Sequence, residues 1–480
     1  MLRMLGVNVP RIEALAPPVA PGTGADGDRP RRLFVASCVA LVATAACFSL
    51  RGDVMPAWAG HFAITQEQVG AVGSAAFLGF ALSVGLGSPL CDVLGMRRLL
   101  LLAFAGHLAG TGLTILAPGY PTLLGASFLI GLANGLTEAI INPLIATLYP
   151  EKKAQALNVL HAWWPGGLIA AGLAAYGLTR ALGLDGPGVS PEAAAFGWRL
   201  KTALVFLPTL AYGALLWGAR FPATERVASG VPAREMLREC VRPAFLVWFF
   251  AMWLTAAAEL GPAQWVPSVL TRTAGTPGIL VFVYVNVLVF GMRTFASGLV
   301  KRRSPVGVLW GSSILAAAGL LALSYATGPF GAYGAAALWG AGVCFFWPTM
   351  LGVTSEQFPK GGALLLGLMG TAGNLSIFFV MPLLGRIWDH YTARALGPGE
   401  SLADLIARSA SDPAAAAQLE AARAAGAAMP FRWAAILPLV LVVVFGALWL
   451  RDRSRGGYRV VTLGPEASAQ PSSERRSDHA

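Results

Sequence analysis

Apolar stretches of about twenty residues recur along the chain, separated by short polar segments rich in Arg, Lys, Gly and Pro. A helix needs about 20 such residues to cross a bilayer core. Twelve stretches of this kind can be placed: 33–58, 68–90, 99–117, 122–148, 156–180, 200–219, 243–268, 278–299, 305–326, 332–355, 363–387 and 432–450. The pattern predicts an all-α membrane protein with twelve transmembrane helices. The polar, basic segment 221–242 lies between the sixth and seventh spans and divides them into two six-helix halves, 33–220 and 243–450. An Ala-rich insertion with spaced charges, about 390–431, precedes the last span and reads as short amphipathic helices outside the bilayer. Residues 1–32 and 451–480 are polar or charged and rich in Pro, Gly or Ser, and they read as disordered.

The first span ends ambiguously. In "RGDVMPAW", Arg51 and Asp53 break a long uncharged run just before Pro56 and Trp58. Either the helix stops near Leu50 and these charges are wet, or the helix continues and holds them inside the membrane. The second half contains "ELGPAQW", Glu259 to Trp265, with the same order of acid, two residues, Pro, Ala and then Trp. The fourth span's "NPLIATLYPEKK" is echoed by "WPTMLGVTSEQFPK" in the tenth, and "GSPLCDVLGMRR" more weakly by "ASGLVKRRSP". Internal repeats of this kind are common in transporters, whose sites lie near the midplane between the repeats. The repeat therefore favours a continuous helix through Asp53.

Charge and composition narrow the class. Hydrophobic residues make up 56% of the chain and charged residues 12%, about half the share of a soluble protein, and mean hydropathy is +0.63. The net charge of +11 is a matter of membrane topology and does not point to nucleic acid. With the N-terminus inside, the N-terminal arm, the even-to-odd loops and the tail hold 24 of the 35 Lys and Arg. Ten lie on the other side and Arg293 lies within a span. The positive-inside rule then places both termini in the cytoplasm. Residues 1–32 lack the compact basic start and short apolar core of a signal peptide. Cys38, Cys47, Cys91, Cys240 and Cys344 are scattered without metal-ligand or disulfide spacing. No P-loop, metal cluster or nucleophile–base arrangement is found in any loop, so neither an enzyme, a metal nor a cofactor is expected.

The loop "GSPLCDVLGMRRLL" resembles the signature of the major facilitator superfamily, Gly-x-Leu-Ala-Asp-Arg-x-Gly-Arg-Lys. Asp92, Gly95, Arg97 and Arg98 fit, whereas Ser88 and Val93 depart from it. Within that superfamily, "TEAIINPLIATLYPEKKAQALNVLHAWWPGG" resembles the fucose–proton symporter family. Glu138, Asn142 and Pro143 match its fourth-helix Glu-x-x-x-Asn-Pro, and Leu157 and Asn158 match its fifth-helix Leu-Asn. His161 stands where Gln is usual, and Trp164 where a second Asn is usual. Asp53 precedes Pro56 by one residue fewer than in the family's first-helix Asn-Asp-x-x-Asn-Pro, with Gly52 in place of Asn. The resemblance implies the major facilitator fold, and roles in solute binding and proton coupling for Asp53 and Glu138.

Glu138 lies midway along an apolar stretch, where a carboxylate must face a cavity, pair with a cation or take up a proton. Asn134, Glu138 and Asn142 are four residues apart and form one stripe on a helix. Asn158, His161 and Trp164 form a second stripe in the fifth span, with His able to donate and accept hydrogen bonds and Trp able to floor a sugar ring. In the second half Glu259, Gln264 and Trp265 mirror the Asp53 region. Asn286, Phe290 and Arg293 share a face of the eighth span, and the intramembrane Arg293 demands a carboxylate or an anionic solute. Trp347 and Asn374 are further solute-binding candidates, and His107 reads as structural. Arg51 is expected to hold Asp53 charged, which leaves Glu138 as the proton carrier. Asp92, Arg97 and Arg98 are expected to latch the halves in one access state, and Gly131 and Gly135 in "GLANG" to allow close helix approach.

The expected function is secondary active transport: proton-coupled symport of a sugar or similar small polar solute by alternating access, by a monomer in the cytoplasmic (inner) membrane. The partners are the solute, protons and the lipid bilayer. The alternatives are an exporter of drugs or metabolites, which would line its cavity with apolar surface, and a transporter-like sensor, which would need a signalling domain.

Overall fold

A computed structural model describes residues 28–149, 153–186, 188–222, 233–294, 304–358, 361–397, 399–459 and 461. The arm 1–27, most of the tail and part of the linker between the halves lie outside the described residues. Every regular element among those described is a helix. An apolar segment in lipid must satisfy its own backbone, and a helix does so internally.

The first half contains α1 (Asp28–His61), α2 (Gln66–Leu94), α3 (Met96–Ile115), α4 (Tyr120–Leu148), α5 (Lys153–Ala181), α6 (Pro191–Ala203) and α7 (Phe206–Leu216). The short α8 (Ala233–Cys240) follows in the linker. The second half contains α9 (Pro243–Thr273), α10 (Gly278–Thr294), α11 (Pro305–Ser324), α12 (Gly328–Val343), α13 (Phe346–Gln357), α14 (Gly362–Arg394), α15 (Leu402–Ser409), α16 (Pro413–Gly426), α17 (Met429–Ala434) and α18 (Ile436–Ser454). Ten stretches among the described residues are long and apolar enough to cross a membrane, and α5 and α10 complete the twelve spans. Leu207, Trp217, Phe250, Phe330 and Val443 are exposed, as lipid-facing side chains must be.

Local chemistry sets the ends. Thr65 accepts from Gln68 N while Gln68 accepts from Thr65 N, a reciprocal cap that starts α2. Ser190, Ser304 and Asp412 cap α6, α11 and α16, each followed by a proline in the first turn. The cap at Ser190 starts the sixth span at Pro191, well before the expected 200. That span is α6 and α7 together, interrupted at Leu204 and Val205.

Prolines inside helices remove the donor for the carbonyl four residues earlier, and side chains replace three of them. Pro348 frees Cys344 O at the break between α12 and α13, and Arg293 Nε donates to it at 3.2 Å. Pro262 frees Ala258 O, which accepts from Trp339 Nε1 at 3.4 Å. Pro143 frees Ala139 O, which faces the Cys91 thiol at 4.0 Å.

Helix α4 lies directly on α2. A Cβ added at Gly131 would sit 2.0 Å from Ala76 O, and one at Gly135 would sit 2.5 Å from Phe80 O. The insertion expected at 390–431 begins as an extension of α14 and continues as α15 and α16. It folds back onto the bundle, where Trp388 Nε1 donates to Arg423 O at 2.9 Å and Arg272 pairs with Glu420 at 3.1 Å.

Replacing Gly131 by Val forces α4 off α2. Overpacking of this kind costs about 1–3 kcal/mol or more, so the thermal midpoint in detergent falls. Gly125→Ala is the control, because nothing lies within 4 Å of the added carbon. Equal midpoints for Gly131→Val and the wild type would show that the two helices do not pack as described.

Candidate functional site between the two halves

The segment Arg51–Trp58 lies inside α1, which runs unbroken to His61 with Pro56 within it. The charges of this stretch are therefore held in the helix, near one end of the seam between the halves. At that end the halves are fastened together. The Asp389 carboxylate of α14 accepts from Gln66 N at 3.0 Å and Glu67 N at 2.7 Å, so the second half caps a helix of the first. Arg386 meets Glu67 at 2.5 Å, and Arg423 Nη2 donates to Ile64 O at 3.3 Å. Gly70 lies so close to Met381 that a Cβ there would sit 2.4 Å from its carbonyl oxygen.

One layer deeper, Arg51 Nε donates to Gln264 Oε1 at 3.0 Å, and Gln264 Nε2 donates to Phe48 O at 3.3 Å. The guanidinium lies 4.9 Å from the Phe48 ring centre and 5.2 Å from that of Phe77. Arg51 is thus a bridge between the halves, which corrects the expectation that it pairs with Asp53. The partner of Asp53 is Lys201 on α6, at 2.6 Å, with both side chains almost fully buried. Residues two apart on a helix point about 200° away from each other, so Arg51 faces α9 while Asp53 faces α6. A sixth span that starts at 200 puts this lysine at a helix end, where it needs no partner. With α6 beginning at Pro191, Lys201 lies within the membrane and needs an acid.

Beyond the Arg51–Gln264 layer, toward the face that bears the α2–α3 turn and the start of α1, the side chains between the halves are more open. Here that side is named the terminal face. Glu138 and Asn142 are half-buried on α4. Among the described residues no hydrogen-bond partner is found for Glu138. His161 on α5 is exposed, and its Nε2 donates to Asn142 Oδ1 at 3.0 Å. Helix α10 of the other half, which carries Arg293, packs against α5, which carries His161. Arg293 reaches Glu259 Oε1 at 3.7 Å, so the acid that its position demands is Glu259 on α9. Glu259 Oε2 is buried without a partner among the described residues. Trp164 is half-buried with its ring edge-on to Phe48 at 5.0 Å.

Other residues expected at the site lie elsewhere. Asn134 turns away from the seam: its Oδ1 faces His107 Nε2 at 2.8 Å, and His107 Nδ1 faces the Tyr212 hydroxyl at 2.8 Å. Steps of four residues advance about 40° around a helix, so Asn134 and Asn142 differ by about 80°, and the stripe is not one face. Trp265 is fully buried against Trp388 at 5.5 Å, in the core of the second half. Gln264, its neighbour, is the residue that reaches the seam. Asn286 and Asn374 donate to carbonyls of their own helices, Phe282 O at 2.8 Å and Gly370 O at 3.0 Å. Trp347 is half-buried, its ring packed on the bare backbone of Gly373. Arg97 and Arg98 are exposed at the start of α3 on the terminal face, where Arg97 lines a notch with Arg220 and Phe221. The side chains of Asn158 and Asp92 lie outside the described residues.

The Asp53–Lys201 pair makes a direct prediction. Lys201→Ala strands a carboxylate, and breaking a buried pair costs about 3–5 kcal/mol. The thermal midpoint in detergent is expected to drop sharply. Adding Asp53→Asn to Lys201→Met should recover most of that loss. A double variant no more stable than the single ones would contradict a pairing of these two groups.

Comparison with known proteins agrees with this architecture. The family model of the Major Facilitator Superfamily matches residues 33–381. A solved bacterial homologue of the human lysosomal transporter Spinster, in an inward-facing and unoccupied conformation, superposes with a TM-score of 0.69 at 16% identity, covering 88% of this chain and 97% of that one. The xylose transporter XylE from E. coli, in a partially occluded inward-open conformation, gives 0.65 at 12% identity, covering 88% and 98%. The nucleoside transporter NupG gives 0.62 at 12% identity, covering 88% and 99%. No curated protein matches the sequence. With twelve spans in two halves and a family match over most of its length, the chain belongs to the Major Facilitator Superfamily.

Proposed function

We propose that this protein is a secondary active transporter that carries a sugar or similar small polar solute together with a proton, by alternating access. The observation that carries this reading is Glu138: an acid midway along a membrane helix, half-buried one turn before the Asn142 that meets His161, with no partner among the described residues. Acids in such positions serve as proton relays in membrane carriers. The other acids named here are already partnered: Asp53 and Glu259 have cations at 2.6 Å and 3.7 Å, Glu67 has Arg386, and Asp389 accepts two backbone N–H groups. Glu138 is therefore the acid that gains most from a proton when the halves close around it.

The distribution of Lys and Arg supports cytoplasmic termini, which makes the terminal face cytoplasmic. The described state is then closed to the outside by Asp389, Glu67, Arg423 and the Arg51–Gln264 bridge, and open inward at His161. Asn142, His161 and Trp164 supply hydrogen bonds and an apolar ring face, the combination a hydroxylated solute needs. The likeness of the fourth and fifth spans to the fucose–proton symporter family points the same way, as do the xylose and nucleoside carriers among the solved structures of this fold. An exporter of apolar compounds would line this space with apolar side chains instead. The carrier is proposed to work as a monomer in the cytoplasmic membrane.

Uptake into proteoliposomes over a panel of pentoses, hexoses, sugar acids and nucleosides, with and without an inward proton gradient, tests this reading. At least one solute should accumulate only with the gradient and acidify the lumen as it enters. Glu138→Gln should abolish that accumulation while leaving exchange of labelled for unlabelled solute. Normal lumen acidification by the Glu138→Gln protein would remove Glu138 from the proton path.

A further inference from the structure

Arg51 carries a charge that no acid among the described residues neutralises. Its hydrogen-bond partner is the neutral amide of Gln264, at 3.0 Å. Two aromatic rings flank the guanidinium, Phe48 and Phe77. The acid two residues on, Asp53, is already taken by Lys201. Arg51 is only 6% exposed, and its Nη2 has no hydrogen-bond partner among the described residues. A buried cation is ordinarily paired, and its remaining donors satisfied. The planar guanidinium fork matches carboxylate and phosphate oxygens, and a lone cation balances the single charge of a carboxylate.

Position adds a second argument. Arg51 is ten residues from the end of α1, about 15 Å at 1.5 Å per residue. Glu259 is fourteen residues from the same end of α9, about 21 Å. Glu259 is also five residues from Gln264, about 7.5 Å along α9, so the layer of Glu259 and Arg293 lies about one and a half turns below the Arg51–Gln264 bond. The seam at Arg51 is also where the halves must part for access from the opposite face. Parting breaks the bond to Gln264 and presents the guanidinium to whatever enters there.

We infer that Arg51 seats the carboxylate of the transported solute, so that the substrate class is a hydroxylated monocarboxylate such as a sugar acid, in place of a neutral sugar. This rests on the proposal that the space between the halves is the transport site. The incoming carboxylate replaces the Gln264 amide on the guanidinium, and its hydroxyls face the groups below. Gln264 is the placeholder that keeps Arg51 partnered when the site is empty and closed. Glu138 remains the proton carrier, separate from the anion seat.

The test uses the full-length protein and two matched probes, D-glucuronate and D-glucose. Glucuronate should raise the thermal midpoint of the wild type and enter proteoliposomes, while glucose does neither. Arg51→Gln should raise the half-saturation concentration for glucuronate about tenfold to a hundredfold, as expected for the loss of one charge-assisted hydrogen bond. Arg51→Lys should recover part of it. The wild-type binding measurement needs no variant, so a poorly folding Arg51→Gln protein does not rescue the idea. Transport of glucose with glucuronate neither carried nor inhibitory overturns it, and so does failure of both probes to bind. Gradient-driven uptake of glucose alone would leave proton symport standing and sink the anion seat. Glucuronate uptake indifferent to pH would do the reverse.

Discussion

Cys344 O loses its helix donor to Pro348 and regains one from Arg293, whose guanidinium also reaches Glu259. That contact joins a broken helix, an intramembrane cation and an acid in one cluster, and it expresses the constraint on which the whole molecule depends. Inside a bilayer each polar group must find its partner within the protein. Trp339 does the same for Ala258 O, and Lys201 does so for Asp53. These internal satisfactions let prolines and charges sit within spans whose remaining surface is apolar.

The same constraint shapes the seam between the halves. Toward one face it is sealed by bonds that need both halves: Asp389 capping α2, Arg423 on Ile64 O, and Arg51 on Gln264. Each leaves an exposed polar group if broken, and water entering a newly opened cleft can satisfy that group. Toward the other face His161 and its neighbours are exposed. Exchanging protein partners for water at one end while the reverse happens at the other is a near-balanced trade, which is what a two-state carrier requires.

Much of this was legible in the sequence, and the failures have specific causes. Apolar length placed twelve spans, and the small residues of "GLANG" marked a close helix approach. The acid–Pro–Ala–Trp repeat correctly favoured a continuous helix through Asp53. An intramembrane Arg293 demanded an acid, and Glu259 lies beside it. Helix edges were less legible: a span begun at residue 200 hid Lys201, and with it the partner of Asp53. Angular position was the second weakness. Spacing by four drifts around the helix, so Asn134 went to His107 while Asn142 went to His161. At Gln264 and Trp265 both residues looked eligible, and only packing shows that Gln264 meets the seam while Trp265 fills the core.

The central claim is that the proton on Glu138 sets which face is open. Spin labels at Ala63 and Ala393, on the α1–α2 turn and near the end of α14, report the separation of the halves on the fastened side. Their distance distribution in nanodiscs, measured across pH, should shift between a short and a long population in the wild type. In Glu138→Gln the balance of the two populations should not change with pH. A pH response in Glu138→Gln equal to that of the wild type would contradict the claim.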